Sequence, residues 1–163
     1  GVSPAASLRL LNISENATYR IDDPAAPAPL ILRVHRTGYH SYDAVRTELA
    51  WMKALQAEAG VETPQAVPAL DGELIHRIAT PALDEERFVV MFAFIEGHEP
   101  AQDSLIEPFE RLGAIAARMH AHARRWERPE YFERLVWDFE GAVGPRGNWG
   151  DWRNGLGLDA ERI

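Results

Sequence analysis

Leu30-Ile31-Leu32-Arg33-Val34-His35, followed after a short polar break by the stretch 41–59, decides how this chain folds. The first six residues are mostly aliphatic and β-branched and read as a strand. In 41–59, Val45, Leu49, Met52, Leu55 and Ala59 recur at three-four spacing, which makes one apolar stripe of an amphipathic helix. Ser41 suits the N-cap of that helix, and Gly60 suits its C-terminal stop. Glu48 falls inside the stripe, and Arg33 has apolar neighbours on both sides. A carboxylate on a buried face, or a guanidinium in a strand, is costly unless an opposite charge or hydrogen-bond partners meet it. The pattern therefore predicts that Arg33 and Glu48 meet, with the arginine also turned toward an anion. The competing reading is a partly exposed glutamate and an arginine on an edge strand.

The bulk numbers narrow the setting. The length of 163 residues holds one ordinary domain, or one small domain and part of another. An apolar fraction of 46% is enough for a core, and a net charge of −8 argues against a surface that neutralises a phosphate backbone. The absence of cysteine excludes disulfides, thiolate metal sites and cysteine nucleophiles. No apolar run approaches membrane-spanning length and no signal peptide opens the chain, so a cytoplasmic protein with neither nucleic-acid nor membrane partners is expected. Two matches to the glycosylation pattern, at Asn12 and Asn16, are then chance.

Read in order, 8–13 and 17–21 are strands joined by a tight turn at Ser14-Glu15-Asn16. A Pro- and Ala-rich loop leads to 30–35. Beyond the helix, a two-proline connector precedes a strand at 73–78. The run 88–95 is apolar on both faces, as a central strand is. Three strands, one helix and two strands make an α+β fold with an antiparallel five-stranded sheet and one packed helix. A second helix follows, with Pro108 at its first position and a stripe of Phe109, Leu112, Ala116, Met119 and Ala123. The rest, 131–157, reads as irregular, with its glycine-rich 141–147 taken as a flexible loop. Asp159 suits the cap of a further helix that the sequence does not complete, as in a fragment.

This order of parts resembles the small lobe of a protein-kinase-like fold. The phrases LNISENATYRID, LILRVHRTGYHS, ELAWMKAL and FERLGAIAARMHAHA are similar to those of the aminoglycoside phosphotransferase, homoserine kinase and choline kinase-like family. The resemblance implies a nucleotide-binding small lobe at 1–95, a linker at 96–101 and, at 102–163, the helical start of a second lobe truncated before its catalytic segment. It also implies roles for particular residues. Ser14, Glu15 and Asn16 would cover nucleotide phosphates, Arg33 would contact them, and Glu48 would hold Arg33. Ile31 would lie against adenine, with Ala93 and Ile95 offering backbone groups to its edge and Phe92 behind them. His120 matches a histidine that packs structurally in the second lobe. The cofactors implied are ATP and Mg2+, and the partner is a small-molecule hydroxyl acceptor such as an amino alcohol, an amino acid or an aminoglycoside.

Two departures bear on activity. The 14–16 turn has no glycine-rich sequence, and nothing matches the family's His-x-Asp and Asn catalytic segment or its metal-binding Asp. Phosphoryl transfer needs a group that positions the acceptor and a metal clamp. Catalytic residues and Mg2+ ligands are therefore expected beyond position 163, and a non-catalytic module that binds nucleotide or a partner is the alternative. Glu107 and Glu110 as a glycosidase pair, a His120/His122 metal site and a hydrolase elbow are all poorer readings, because spacing or partners are wrong. Trp137, Trp149 and Trp152 read as local packing or a wall of an acceptor pocket.

Overall fold

In the computed structural model, residues 1–79, 85–98, 100–101, 103–145, 147–155 and 157 are described. The chain divides into two compact units, Gly1–Phe132 and Glu133–Ile163.

In the first unit, β1 (Ser7–Ile13), β2 (Asn16–Asp22), β3 (Leu30–His35), β4 (Ile75–Ile78) and β5 (Arg87–Ala93) form one sheet in the order β1-β2-β3-β5-β4. Every pairing is antiparallel. The expected five-stranded sheet is thus present, and β5 lies inside it as its two-sided apolar sequence demands. Helix α1 (Tyr42–Ala59) covers one face. Directly opposed residues of antiparallel strands share a face. Thr18 opposes Arg33, Arg20 opposes Ile31, and Asn16 opposes His35. Across the next pairing, Arg33 opposes Val90 and Ile31 opposes Phe92. These residues make the helix-side face. Its core is Val45, Ile75, Val90 and Phe92, with Ile31, Leu49 and Met52 packed around it.

The ends of α1 follow the residues that predicted them. Ser41 Oγ accepts the Ala44 N–H at 3.0 Å. Gly60 has a φ of 58°, in the left-handed region, and its N–H turns back to the Leu55 carbonyl. Val45 and Leu55 are fully buried; Thr47, on another side of the helix, is buried too, and its hydroxyl donates to the Tyr131 carbonyl.

Helix α2 (Ile106–Ala123) begins two residues before Pro108. The proline therefore occupies the third position, still within the first turn where its missing N–H has no helical partner. The first half of the predicted stripe is exposed at Phe109 and Leu112, and the buried residue of α2 is His122. His120 lies on the exposed side of the helix. Two helical positions place successive odd or even residues on different sides, so only one of the two histidines can face α1.

The second unit is less irregular than its sequence suggested. A short helix, α3 (Phe139–Val143), is capped by Asp138, and a 3-10 turn at Trp152–Asn154 is capped by Asp151. Gly141 lies within α3, where a Cβ would run into the Val136 carbonyl oxygen. Close backbone approach, not loop flexibility, explains that glycine. Trp137 and Trp149 pack with ring centroids 4.9 Å apart. The cap expected at Asp159 lies outside the described residues.

Candidate functional site

Arg33 and Glu48 form the pair that the sequence required. Nη1 of Arg33 lies 2.8 Å from Oε1 of Glu48, and each side chain is about one-fifth exposed. Two elements set this geometry. The strand fixes Arg33 between Thr18 and Val90, and α1 turns Glu48 inward one turn beyond the buried Val45. The guanidinium also lies over the Phe92 ring, 4.8 Å from its centroid.

One ion pair does not satisfy an arginine. Nε and Nη2 of Arg33 are buried and have no hydrogen-bond partner among the described residues. Guanidinium donors come in a planar fork suited to two oxygens of one anion, and buried polar groups are rarely left alone. The Asn16 side-chain oxygen and both ring nitrogens of His35 are in the same condition. All three residues belong to the helix-side face at the hairpin end of the sheet, where Asn16 and His35 directly oppose each other. Several unpaired polar groups thus gather on a small patch.

The other predicted residues surround this patch in different ways. Ser14 and Glu15 form the exposed tip of the β1–β2 hairpin, closed by the Ser14 N–H donating to the Asn16 carbonyl at 3.1 Å. The Glu15 carboxyl is held below its usual range by its own backbone N–H, then by the Ser14 hydroxyl. An ionised Glu15 repels phosphate, and since the Ser14 and Glu15 N–H groups already bond within the turn, they must exchange those bonds to meet a phosphate. Ile31 is half-buried two residues from Arg33 on the same face. Phe92 lies across from it, buried in the core. The N–H of Ala93 donates to the Gln65 carbonyl at 2.8 Å, leaving Ala93 its carbonyl oxygen for an external donor. Ile95, two residues on, is exposed and has no hydrogen bond among the described residues. A cavity of about 640 Å³ lies on the opposite sheet face against Leu32, Val89 and Met91, and contains none of these residues.

Sequence reasoning passed over His35 and Thr18. Both were visible as alternate positions on strands whose register fixes the face of Arg33. His35 is 1% exposed, and its imidazole is pushed down to about 4, first by burial and then by the neighbouring Arg33 charge. The native state therefore resists a proton that the unfolded chain takes up near pH 6.5. The unfolded state binds more protons between those values, so stability falls as pH drops from about 6.5 toward 4. Urea unfolding at pH 7 and pH 5 should differ by about 2 kcal/mol on this account, and the difference should largely disappear in His35→Leu. An equal pH dependence in that variant would assign it to other groups.

Comparison with known proteins fits this geometry. The family model described as "Phosphotransferase enzyme family" matches residues 8–155. The solved structure of a microcompartment-associated aminopropanol kinase superposes with a TM-score of 0.81 at 42% identity, covering 98% of this chain and 48% of that one. An amicoumacin kinase, solved with AMP-PNP, Ca2+ and Ami, shares the fold with a TM-score of 0.70 at 20% identity. It covers 83% of this chain and 40% of that one. The chain thus spans about half the length of the solved proteins it matches. No curated protein matches it.

Proposed function

This chain belongs to the phosphotransferase enzyme family, and we propose that it forms the nucleotide-binding part of an ATP-dependent kinase acting on a hydroxyl of a small amino alcohol. The observation that carries this reading is Arg33, fixed by Glu48 through one nitrogen and presenting two more buried nitrogens without partners. Residues 1–95 serve as the small lobe, 96–101 as the link and 102–163 as the start of the second lobe.

Each residue's part follows from its chemistry. Arg33 neutralises phosphate charge and fixes phosphate oxygens through its fork. Glu48 keeps the guanidinium from turning away and offsets its charge when no phosphate is near. The backbone of Ser14, Glu15 and Asn16 closes over the phosphates. Ile31 lies against the base, the Ala93 carbonyl and Ile95 N–H meet its edge, and Phe92 supports both from behind while its ring face backs the Arg33 charge. ATP, when bound, supplies the γ-phosphoryl group. Among the described residues no three His, Cys, Asp or Glu side chains gather where a metal could sit. No magnesium ligand and no catalytic base is assigned among them. Among them, too, no helix is long and apolar enough to cross a membrane.

The amino alcohol assignment draws on the aminopropanol kinase relative, whose identity to this chain is 42%. The test is ADP release by the full-length protein with ATP, Mg2+ and a panel of amino alcohols, amino acids and aminoglycosides. Stimulation by an amino alcohol, with none by the isolated 163-residue chain, is the expected result. Turnover by the isolated chain would contradict the placement of the catalytic groups. Tight nucleotide binding by the full-length protein without stimulation by any acceptor would point instead to a non-catalytic module.

A further inference from the structure

Helix α1 is held on a second side, and the residue at the centre of that contact is a histidine to which no role is assigned above. His122, on α2, is completely buried. Its Nδ1 accepts the indole N–H of Trp51 at 3.2 Å. A nitrogen that accepts carries no proton, so Nε2 carries it and donates to Glu58 Oε2 at 3.0 Å. Both ring nitrogens are therefore spent on α1, at positions seven residues apart on one side of that helix. The contact is extended by rings and by the chain that follows α2. The Trp126 ring packs near both Trp51 and His122, and Phe132 packs edge-on against Trp126. Farther toward the start of α1, the Arg46 guanidinium stacks 3.6 Å from the Tyr131 ring centroid and Thr47 bonds the Tyr131 carbonyl.

Thr47 and Trp51 flank Glu48 in sequence, and the side they share is turned away from the stripe of Val45, Leu49 and Met52 that meets the sheet. Greasy packing fixes how far a helix lies from a sheet, but tolerates rotation about its axis more readily than a pair of directed hydrogen bonds does. Glu48 reaches Arg33 only at one rotation, because a carboxylate on a helix sweeps sideways as the helix turns. We propose that His122 is a positioning residue for the nucleotide site: by bonding Trp51 and Glu58 together it sets the rotation of α1 and so keeps Glu48 on Arg33. The proposal rests on the reading of Arg33 and Glu48 as the nucleotide clamp, but its mechanical part does not.

Two measurements on the full-length protein separate those parts. The first is hydrogen exchange across 44–52 and 30–35 without nucleotide, comparing the native protein with His122→Phe, which retains the ring volume and removes both bonds, and with His122→Gln, which can accept from Trp51 and donate to Glu58 at once. Faster exchange in the phenylalanine variant at both segments, recovered in the glutamine variant, is expected. Unchanged exchange, or a change confined to α2, overturns the proposal even if no nucleotide binds. The second is affinity for AMP-PNP by calorimetry. His122→Phe should weaken it by about tenfold, a coupling of the size found between residues that share a network. That loss should be absent when Glu48 is already replaced by Gln. A loss that persists undiminished in the Glu48→Gln background shows that His122 does not act through Glu48, and overturns the proposal. Should the native protein bind no AMP-PNP, the nucleotide reading fails and the exchange data alone decide the mechanical part. If His122→Phe does not fold, Trp51→Phe, which removes one of the two bonds, is put through the same pair of measurements.

Discussion

Replacement of Arg33 by alanine is expected to weaken binding of AMP-PNP to the full-length protein by about a hundredfold, since hydrogen bonds to charged groups are each worth about 1.5–3 kcal/mol and two donors are lost. The two donors are Nε and Nη2, which no described residue satisfies. Arg33→Lys should recover only part of the loss. A lysine keeps the charge but replaces the planar fork by a single ammonium that cannot hold Glu48 and two phosphate oxygens in the same arrangement. Calorimetry at one fixed ionic strength reads both variants, because charge-based affinity falls with salt. Circular dichroism on the same samples shows whether the sheet has survived. Unchanged affinity in a folded Arg33→Ala protein would remove Arg33 from the site. The nucleotide reading would then lose the observation on which it rests.

The sequence made that prediction possible because two charges stood where apolar residues were required. Arg33 is mid-strand and Glu48 is on the stripe of α1, and only their meeting relieves both. The same period-based logic placed all five strands of the sheet, the cap at Ser41 and the left-handed glycine at position 60. What it could not read was set by contacts between distant residues. His35 looked like one more strand residue, because burial of both ring nitrogens depends on the packing around it. His122 and His120 are alike in local sequence. Which of them faces α1 is decided by the path of the chain between the helices. The glycines at 141–147 suggested freedom, whereas Gly141 answers a close approach of the Val136 carbonyl that only the folded turn creates. Periodicity reports which side of an element is apolar. It carries no information about which polar group across the fold that side will meet.

Stability offers a separate test of the same pair, and single and double substitutions should move it in opposite senses. Glu48→Ala leaves a guanidinium that is about four-fifths covered, with one fewer partner. Breaking a fully buried pair in this way costs about 3–5 kcal/mol, and the remaining solvent contact here reduces that to about 2–3 kcal/mol. The paired change Arg33→Met with Glu48→Leu removes both charges. It fills the space beside Phe92, Val45 and Met52 with side chains of the same apolar kind as the surrounding core. Two desolvation costs then disappear together with the attraction between the charges, so the double variant should be at least as stable as the native protein. Urea unfolding monitored by the tryptophans near α1 would measure both. The informative comparison is with nucleotide affinity, which should be lost in the single and in the double variant alike. A pair kept for the fold would show loss in the double variant as well as the single. A protein that gains stability while losing its ligand would show that the guanidinium and carboxylate are retained for what they bind, at a cost to the sheet that carries them.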